Sequence, residues 1–223
     1  MTSRSILPRH FSAQEIKAQY ARVAWFYDAW SRLTEDKAMM RLLTLAEIED
    51  GMQILEVAVG TGRLFEKLVR LNPSGSTEGM DLSPVMLAHA GKRLECSSKA
   101  ADFHLQEGNA YNLPYESGRF DRLFNTFMVD LLPIEDYPRV LGEYMRVLKP
   151  GGRLAVAYFS HGHKWSNGIW PWLAKHFPAL LTGCRPVELE PILSEAGFQI
   201  LEQESISQNT FPSTIVLAKK PRE

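Results

Sequence analysis

The segment from Ile54 to Leu64 passes from an aliphatic run, through two closely spaced glycines, into a helical pattern. This order predicts a strand, a tight turn and a helix N-terminus, an arrangement in which backbone N–H groups converge on a ligand. Gly60 and Gly62 can adopt positive φ, and their lack of a Cβ lets a small molecule lie against the main chain. An acid, Glu56, precedes the turn. The chain is therefore predicted to bind a ligand at the end of its first strand.

A second acid, Asp81, ends the next predicted strand, which begins at Ser76. It follows the glycines by roughly 20 residues, the spacing at which a carboxylate meets a ribose diol. A dinucleotide-binding turn needs a third glycine, but Arg63 or Phe65 occupies that position, depending on the register. A triphosphate-binding G-x-x-x-x-G-K-[ST] stretch is missing too. Because Glu56 also disfavours a polyanion, the sequence favours a nucleoside that carries a positive charge and an amino-acid tail.

Strand-like and helix-like segments alternate after the glycine turn, which is typical of a parallel sheet covered by helices on both faces. The predicted later strands are Ser76 to Asp81, Phe103 to Glu107, Phe120 to Thr126, Arg153 to Phe159, Gln199 to Ser205 and Thr214 to Lys219. The predicted helices are Ser12 to Trp30, Glu35 to Glu47, Arg63 to Leu71, Val85 to Cys96, Pro138 to Leu148 and Val187 to Ala196. The run from Lys149 to Gly152 is interpreted as a turn that stops a helix.

The composition is that of an ordinary globular chain, with 223 residues of which 45% are hydrophobic, so we expect a single domain over residues 1–223. The net charge of −1 gives no bulk attraction to nucleic acid, and a nucleic-acid partner is not expected. Cys96 and Cys184 form no C-x-x-C pair and have no metal-ligand spacing, which indicates a reducing compartment and no metal site.

The N-terminal ten residues lack the apolar core of a secretory signal. The most apolar segment, Ile169 to Leu181, is too short and too interrupted by prolines and charges to span a bilayer. We therefore expect a cytoplasmic protein without a transmembrane segment, for which peripheral contact with a membrane stays open.

Five ordered motifs resemble those of the class I S-adenosylmethionine (SAM)-dependent methyltransferases. The segment from Glu56 to Gly62 matches their first motif, acid-x-Gly/Ala-x-Gly-x-Gly, and Asp81 matches the acid that ends their second strand. Asn109-Ala110 corresponds to their acid-Ala pair beside the adenine. Phe120 to Thr126 resembles their fourth strand, and Arg146 to Leu154 is close to the sequence before their fifth. The quinone-biosynthesis and phospholipid N-methyltransferase branches are the most similar in these motifs.

The resemblance implies a three-layer α/β sandwich with a seven-stranded, mostly parallel sheet whose last strand is antiparallel. It implies that the last two strands form a hairpin at the sheet edge. It also implies SAM as cofactor and S-adenosylhomocysteine as product. The implied cofactor-binding residues are Tyr20, Glu56, Ala58, Gly60, Gly62, Asp81, Leu82, Met86, Asn109, Ala110 and Thr126.

Two of these residues depart from the family pattern. Ala58 replaces the commonest glycine, although the quinone-biosynthesis branch often carries alanine there. Asn109 replaces an aspartate, so the adenine amino group would meet a weaker, neutral acceptor. Structural alternatives stay open for two others: Asp81 as an acid favoured at a helix N-terminus, and Glu56 as a residue that bonds to loop amides.

Residues 160–186, after the predicted fifth strand, exceed a normal crossover connection and carry several aromatic residues and histidines. Ligands bind outside the carboxyl ends of the strands in such sheets, and this insertion begins at one of those ends. We interpret it as a lid over the acceptor, together with an N-terminal helical cap over residues 1–48. The alternative is a packed helical decoration that contacts no ligand.

Three residues are candidates for the catalytic step. Asp130 follows the fourth strand in an apolar stretch, where burial would raise its pKa and suit it as a base, or it is a capping acid. Tyr27 belongs to a Tyr-Asp segment in which related enzymes bring a tyrosine hydroxyl to the cofactor or acceptor, or it is a core aromatic. His161, like His163, follows the fifth strand and is either a proton acceptor or a solvated loop residue. Methyl transfer needs no indispensable side chain, because the cofactor supplies the reactivity.

The predicted function is transfer of a methyl group from SAM to a small or lipid-like acceptor, at a quinone-ring carbon, phenol, amine or thiol. Two alternatives are carried beside it. One is an NAD-dependent oxidoreductase, which the missing third glycine disfavours. The other is a SAM-binding module without catalysis, which the motifs alone do not exclude.

Overall fold

The computed structural model describes residues 28–95, 102–162, 168–176 and 184–222. The described strands are β1 (Gln53–Val57), β2 (Ser76–Asp81), β3 (Asp102–Glu107), β4 (Phe120–Thr126), β5 (Leu148–Phe159), β6 (Gln199–Gln208) and β7 (Phe211–Lys219). The described helices are α1 (Asp36–Leu45), α2 (Arg63–Leu71), α3 (Pro84–Glu95), α4 (Tyr137–Val147), α5 (Ile169–His176) and α6 (Glu190–Glu195), and residues 28–34 are helical as well. None of these described helices combines the length and the apolar character that crossing a membrane requires.

The seven strands form one sheet in the order β3-β2-β1-β4-β5-β7-β6. Strand β1 pairs in parallel with β2 and β4, whereas β7 pairs antiparallel with both β5 and β6. The predicted fold class is therefore confirmed, including the antiparallel last strand and the hairpin at the sheet edge. The winding of the sheet reverses between β1 and β4, and ligands of open α/β sheets bind outside the strand ends at such a switch point.

The two faces of the sheet bury separate apolar clusters, because successive side chains of a strand point to opposite faces. In β5 one cluster contains Leu154, Val156 and Tyr158, and the other contains Ala155, Ala157 and Phe159. Helices α4 and α6 cover the first face, and helices α1 and α2 cover the second. The near-continuous burial of β1 and β5 is what a strand covered on both sides requires.

Several element boundaries differ from those predicted, and for two of them the structure shows the cause. Strand β5 begins at Leu148 rather than Arg153, because Leu148 already pairs with Phe120 before an irregularity shifts the register. The predicted turn is thus absorbed into the strand. Helix α6 begins at Glu190 rather than Val187, because the Val187 N–H donates to the carbonyl oxygen of Phe159 at 3.1 Å instead of entering a helix.

Candidate functional site

A cleft opens at the switch point between β1 and β4. The end of β1, the glycine turn, the end of β4 and one face of the helical segment 31–39 form its walls. The lining residues are Ser31, Glu35, Met39, Glu56, Ala58, Val59, Gly60, Thr61, Arg63, Leu64, Thr126 and Phe127. The cleft contains about 320 Å³ of empty space, part of which is open solvent. Four predicted cofactor residues, Glu56, Ala58, Gly60 and Thr126, therefore meet here.

The glycine turn has the left-handed backbone that its sequence predicts. The φ angles are 54° at Gly60 and 79° at Gly62. No described atom lies within 4 Å of the position that a Cβ of Gly60 would take, so its main chain borders open space. Ala58 also has a positive φ of 65°, a conformation that costs an alanine about 1–2 kcal/mol. The glycine that is commonest at this position in the family avoids that cost.

Asp81 holds the glycine turn with its side chain. Its Oδ2 accepts a hydrogen bond from the Gly60 N–H at 2.8 Å, and its Oδ1 accepts one from the Ser83 N–H at 2.8 Å. The carboxylate thus connects the turn after β1 with the turn after β2, beside the start of α3. Asp81 itself is only half-buried, so a ribose could still reach its carboxylate. The contact between Asp81 and a ribose stays a prediction.

Glu56 is the most unusual group of the cleft. It is 1% exposed, and its Oε2 has no hydrogen-bond partner among the described residues. Burial, and then the negative charge of Asp81, raise the pKa of the Glu56 carboxyl well above its usual range. A buried acceptor without a partner is costly, and an ammonium group in the cleft would bond this oxygen and favour its ionised form. The site therefore fits the cationic, amino-acid-bearing end of SAM.

The predicted cofactor residues that follow β2 and β3 lie outside the cleft lining. Asn109 is exposed, and its Oδ1 accepts a hydrogen bond from the Tyr111 N–H at 3.0 Å, which closes a local turn. An adenine amino group would have to share that oxygen. Leu82 is 38% exposed, Ala110 is half-buried and Met86 is 2% exposed. Their contact with the cofactor stays a prediction.

Asp130 is fully buried in the turn Val129–Leu131 that follows β4, and it does not line the cleft. Neither of its carboxylate oxygens makes a geometrically sound hydrogen bond within the described residues. Burial raises the pKa of Asp130 to about 7, although backbone dipoles, the nearby charge of Arg185 and the Cys184 thiol act in the opposite direction. Its proton could move near neutral pH, but its role as a base stays a prediction.

The other catalytic candidates are less well placed by the structure. His161 follows β5, is half-buried and is not a lining residue of the cleft. Both tyrosines of the N-terminal segment, Tyr20 and Tyr27, lie outside the described residues, as does His163.

Asp28 makes a contact that the sequence analysis did not predict. Its Oδ1 accepts a hydrogen bond from the Thr61 hydroxyl at 2.6 Å, and its Oδ2 pairs with Arg93 of α3. Burial alone would raise the pKa of Asp28, but the bonds from Thr61 and Arg93 and the charges of Arg93 and Arg63 outweigh it and lower the pKa. The signal in the sequence was the Tyr27-Asp28 pair, but the prediction gave the functional role to the tyrosine and none to the aspartate.

An aromatic cluster lies next to the cleft. The Trp30 and Trp170 rings are 5.8 Å apart, and Trp170 lies 5.2 Å from Phe211 at the start of β7. Phe211 also stacks on Phe159 at 5.0 Å and lies 6.4 Å from Phe127, which lines the cleft. The described parts of the predicted cap and lid therefore meet beside the cleft.

Comparison with known proteins agrees with this geometry. Residues 54–152 match a family model described as a methyltransferase domain. A demethylmenaquinone methyltransferase of Thermus thermophilus is 33% identical over 154 residues, which cover 67% of this chain and 68% of the relative. One of Lactococcus lactis is 31% identical over 199 residues, which cover 80% of this chain and 75% of the relative.

The fold also matches solved structures. The crystal structure of the [4+2]-cyclase SpnF superposes with a TM-score of 0.78, covering 98% of this chain and all of that chain at 20% identity. A likeness at that identity concerns the fold, whereas the sequence relatives show the family. The chain therefore belongs to the class I SAM-dependent methyltransferases, as its motifs predicted, and it resembles their quinone-biosynthesis branch.

Proposed function

We propose that this enzyme methylates a ring carbon of a quinol-type acceptor, a small molecule with an apolar, lipid-like portion. The observation that carries the proposal is the similarity, over more than two thirds of their length, to two proteins named demethylmenaquinone methyltransferases. Among the acceptors predicted from the sequence, the phenol, amine and thiol are the alternatives that an experiment must separate.

The surroundings of the cleft support an aromatic, apolar acceptor. Phe127 lines the cleft at the end of β4, and the cluster of Trp30, Trp170, Phe159 and Phe211 lies directly behind it. Aromatic side chains favour offset or edge-to-face contacts with a planar ring. A quinol ring would find such a partner in Phe127, with the apolar cluster supporting it from the side away from the cleft.

The enzyme's contribution is alignment and exclusion of water. When bound, SAM supplies an electrophilic methyl carbon. Glu56 and Asp81 would hold the methionine and ribose ends, which fixes the direction in which the methyl group points. The helical segment that carries Ser31, Glu35 and Met39 covers this end of the cleft and reduces contact with water.

Attack by a quinol ring carbon on the methyl group would break the methyl–sulfur bond and release S-adenosylhomocysteine. The methylated carbon would then lose its hydrogen as a proton to restore the aromatic ring, and a base that takes up a phenolic proton would activate the ring for the attack. Of the candidates, His161 is half-buried at the end of β5 and can reach water, whereas Asp130 is sealed in the core. We therefore place His161 first, with Asp130 and Tyr27 as the other candidates. We also retain the predicted cap over residues 1–48 and lid over residues 160–186, because Trp30 and Trp170 join their described parts.

The decisive experiment supplies SAM with a short-chain demethylmenaquinol, a simple phenol, phosphoethanolamine and a small thiol in parallel, and detects S-adenosylhomocysteine directly. We expect turnover with the quinol and a product methylated at a ring carbon. Turnover with another acceptor class would overturn the proposed acceptor. If SAM binds and no acceptor is turned over, the proposal also fails and the non-catalytic alternative returns. An Asp81→Ala variant serves as the control for cofactor-dependent product.

A further inference from the structure

The glycine turn has a backbone that depends on contacts from outside it. Ala58, Gly60 and Gly62 all have positive φ, of 65°, 54° and 79°, a conformation that is unfavourable for the alanine. Such a conformation persists where the surrounding structure determines it. Asp81 supplies one outside contact, at the Gly60 N–H. The next residue, Thr61, receives its outside contacts from the N-terminal segment and from α3.

Thr61 is bonded through both its side chain and its main chain. Its hydroxyl donates to Oδ1 of Asp28 at 2.6 Å, and its carbonyl oxygen accepts from Nε of Arg93 at 2.8 Å. Oδ2 of Asp28 pairs with the same guanidinium. The three residues therefore close a ring of contacts that joins the N-terminal segment, the glycine turn and α3. Because Thr61 is 3% exposed and lines the cleft, this ring fixes part of the cleft wall.

Asp28 acts in the ring as an ionised carboxylate. Burial alone would raise the pKa of its carboxyl, but the hydrogen bond from Thr61 and the charges of Arg93 and Arg63 lower that pKa below its ordinary value. Arg63, the first residue of α2, also donates to the main-chain carbonyl oxygen of Asp28 at 2.8 Å. Asp28 does not line the cleft that the described residues form. Its influence on a ligand therefore passes through the residues that it holds.

We propose that Asp28 is a positioning residue for the cofactor: by holding Thr61 and Arg93 together, it keeps the glycine turn in the conformation that binds SAM. The apparent dissociation constant of a ligand rises as the binding-competent fraction of the protein falls. Loss of the carboxylate lets the turn of the ligand-free chain adopt other conformations, so SAM binds more weakly. The inference rests on the glycine turn as the cofactor site and is independent of the proposed acceptor.

Calorimetry measures the dissociation constant of S-adenosylhomocysteine at a temperature at which urea unfolding shows each variant to be folded. Asp28→Ala should weaken binding at least tenfold, because it removes the acceptor of Thr61 and the partner of Arg93 together. Asp28→Asn keeps an acceptor for Thr61 and should weaken binding less. Glu204→Gln is the matched control and should bind within twofold. Glu204 forms a carboxylate–guanidinium pair with Arg41 of α1, and neither residue lines the described cleft.

Two substitutions of Thr61 test the same ring from its other side. Thr61→Val removes the hydroxyl with little change of shape, whereas Thr61→Ser keeps it. Thr61→Ser should therefore bind S-adenosylhomocysteine at least fivefold more tightly than Thr61→Val. The effects of Asp28→Ala and Thr61→Val should be non-additive, because both remove one hydrogen bond. If Asp28→Ala does not fold, the comparison of the two Thr61 variants decides, and equal binding by them overturns the proposal.

Unchanged affinity in folded Asp28→Ala overturns the proposal even where that variant is less stable, because Asp28 is then a structural residue. Additive effects of Asp28→Ala and Thr61→Val overturn it too, as does an equal loss of affinity in Glu204→Gln. Binding to the unaltered chain and to Asp81→Ala is measured first. No binding to the unaltered chain contradicts the cofactor, and unchanged binding in Asp81→Ala contradicts the glycine turn as its site. Either result removes the basis of the proposal and is recognised separately from its own failure.

Discussion

Gly62 lies so close to Ala90 that a Cβ built on Gly62 would be 2.8 Å from the Cβ and 2.9 Å from the Cα of Ala90. Gly62 is the residue that caps α2, and Ala90 lies in the middle of α3. The second glycine of the turn therefore serves two purposes: it adopts the left-handed backbone at the cofactor cleft, and it lets α3 pack directly against the first turn of α2.

The first prediction compares the two glycines of the turn. Gly62→Ala should lower the free energy of unfolding by about 2–4 kcal/mol, because backbone strain and a clash with Ala90 add together. Gly60→Ala should cost only about 1–2 kcal/mol, because its φ is positive but no described atom lies within 4 Å. Urea unfolding without ligand measures both values. Equal losses for the two variants would show that α3 moves away at no cost.

The second prediction concerns Asp81. Asp81→Ala should weaken SAM binding by about 1–3 kcal/mol, the scale for a lost charge-assisted hydrogen bond. It should also destabilise the ligand-free chain, because the N–H groups of Gly60 and Ser83 lose their acceptor. Asp81→Asn keeps one acceptor oxygen, so its SAM affinity and its stability should lie between those of the unaltered chain and those of Asp81→Ala. Calorimetry gives the affinity, and unchanged affinity in Asp81→Ala would remove Asp81 from the cofactor site.

The sheet and the glycine turn were predictable because their signals are local. The alternation of strands and helices, the two glycines and the acids at Glu56 and Asp81 each follow from residues within one short segment. The structure adds that the Gly60 N–H donates to Asp81, so this amide is not one of the loop amides that Glu56 would bond in its structural alternative. The strand boundary at Leu148 was missed, since a proline–glycine run was interpreted as a turn although its residues extend β5.

The N-terminal wall of the cleft was not predictable in the same way. Asp28 contacts Thr61 of the glycine turn although the two residues are 33 positions apart, and Glu35 lines the same cleft. Helical periodicity shows only that one face of the segment is buried. For Asp130 the local sequence pattern was recognised, but it was compatible with two different positions of the side chain. An acid in an apolar stretch after a strand can face an acceptor or be sealed beneath it, and only the packing around Arg185 decides which.

The third prediction uses two tyrosines of α4 as a matched pair. The Tyr144 hydroxyl is buried without a hydrogen-bond partner among the described residues, and burial raises its pKa. The Tyr137 hydroxyl donates to the carbonyl oxygen of Val129 at 2.9 Å. Tyr144→Phe should leave stability unchanged or raise it by about 1 kcal/mol, whereas Tyr137→Phe should lower it by about 1 kcal/mol. Thermal and urea unfolding compare them, and a loss in Tyr144→Phe would reveal a bonded hydroxyl.

The last prediction concerns the pH dependence of stability and of turnover at Asp130. Its pKa is raised to about 7 from an ordinary value of 3.8, so the folded state binds the proton more tightly than the unfolded chain. The free energy of unfolding should therefore fall as pH rises from about 4 to 7, by at most roughly 4 kcal/mol from this group. Asp130→Asn should flatten that part of the profile, and Asp102→Asn, at an exposed position of β3, should not.

Glu56 contributes a fall of the same sign, because its pKa is raised as well. The difference between the unaltered chain and Asp130→Asn, measured by urea unfolding at pH 5 and pH 8, isolates the Asp130 share. The same variant decides its chemical role. If Asp130 takes up the acceptor's proton, Asp130→Asn binds SAM with nearly unchanged affinity and turns over slowly. If Asp130→Asn and the unaltered chain turn over equally fast at pH 5 and again at pH 8, Asp130 is a structural acid that burial holds protonated. His161 would then be the base to test.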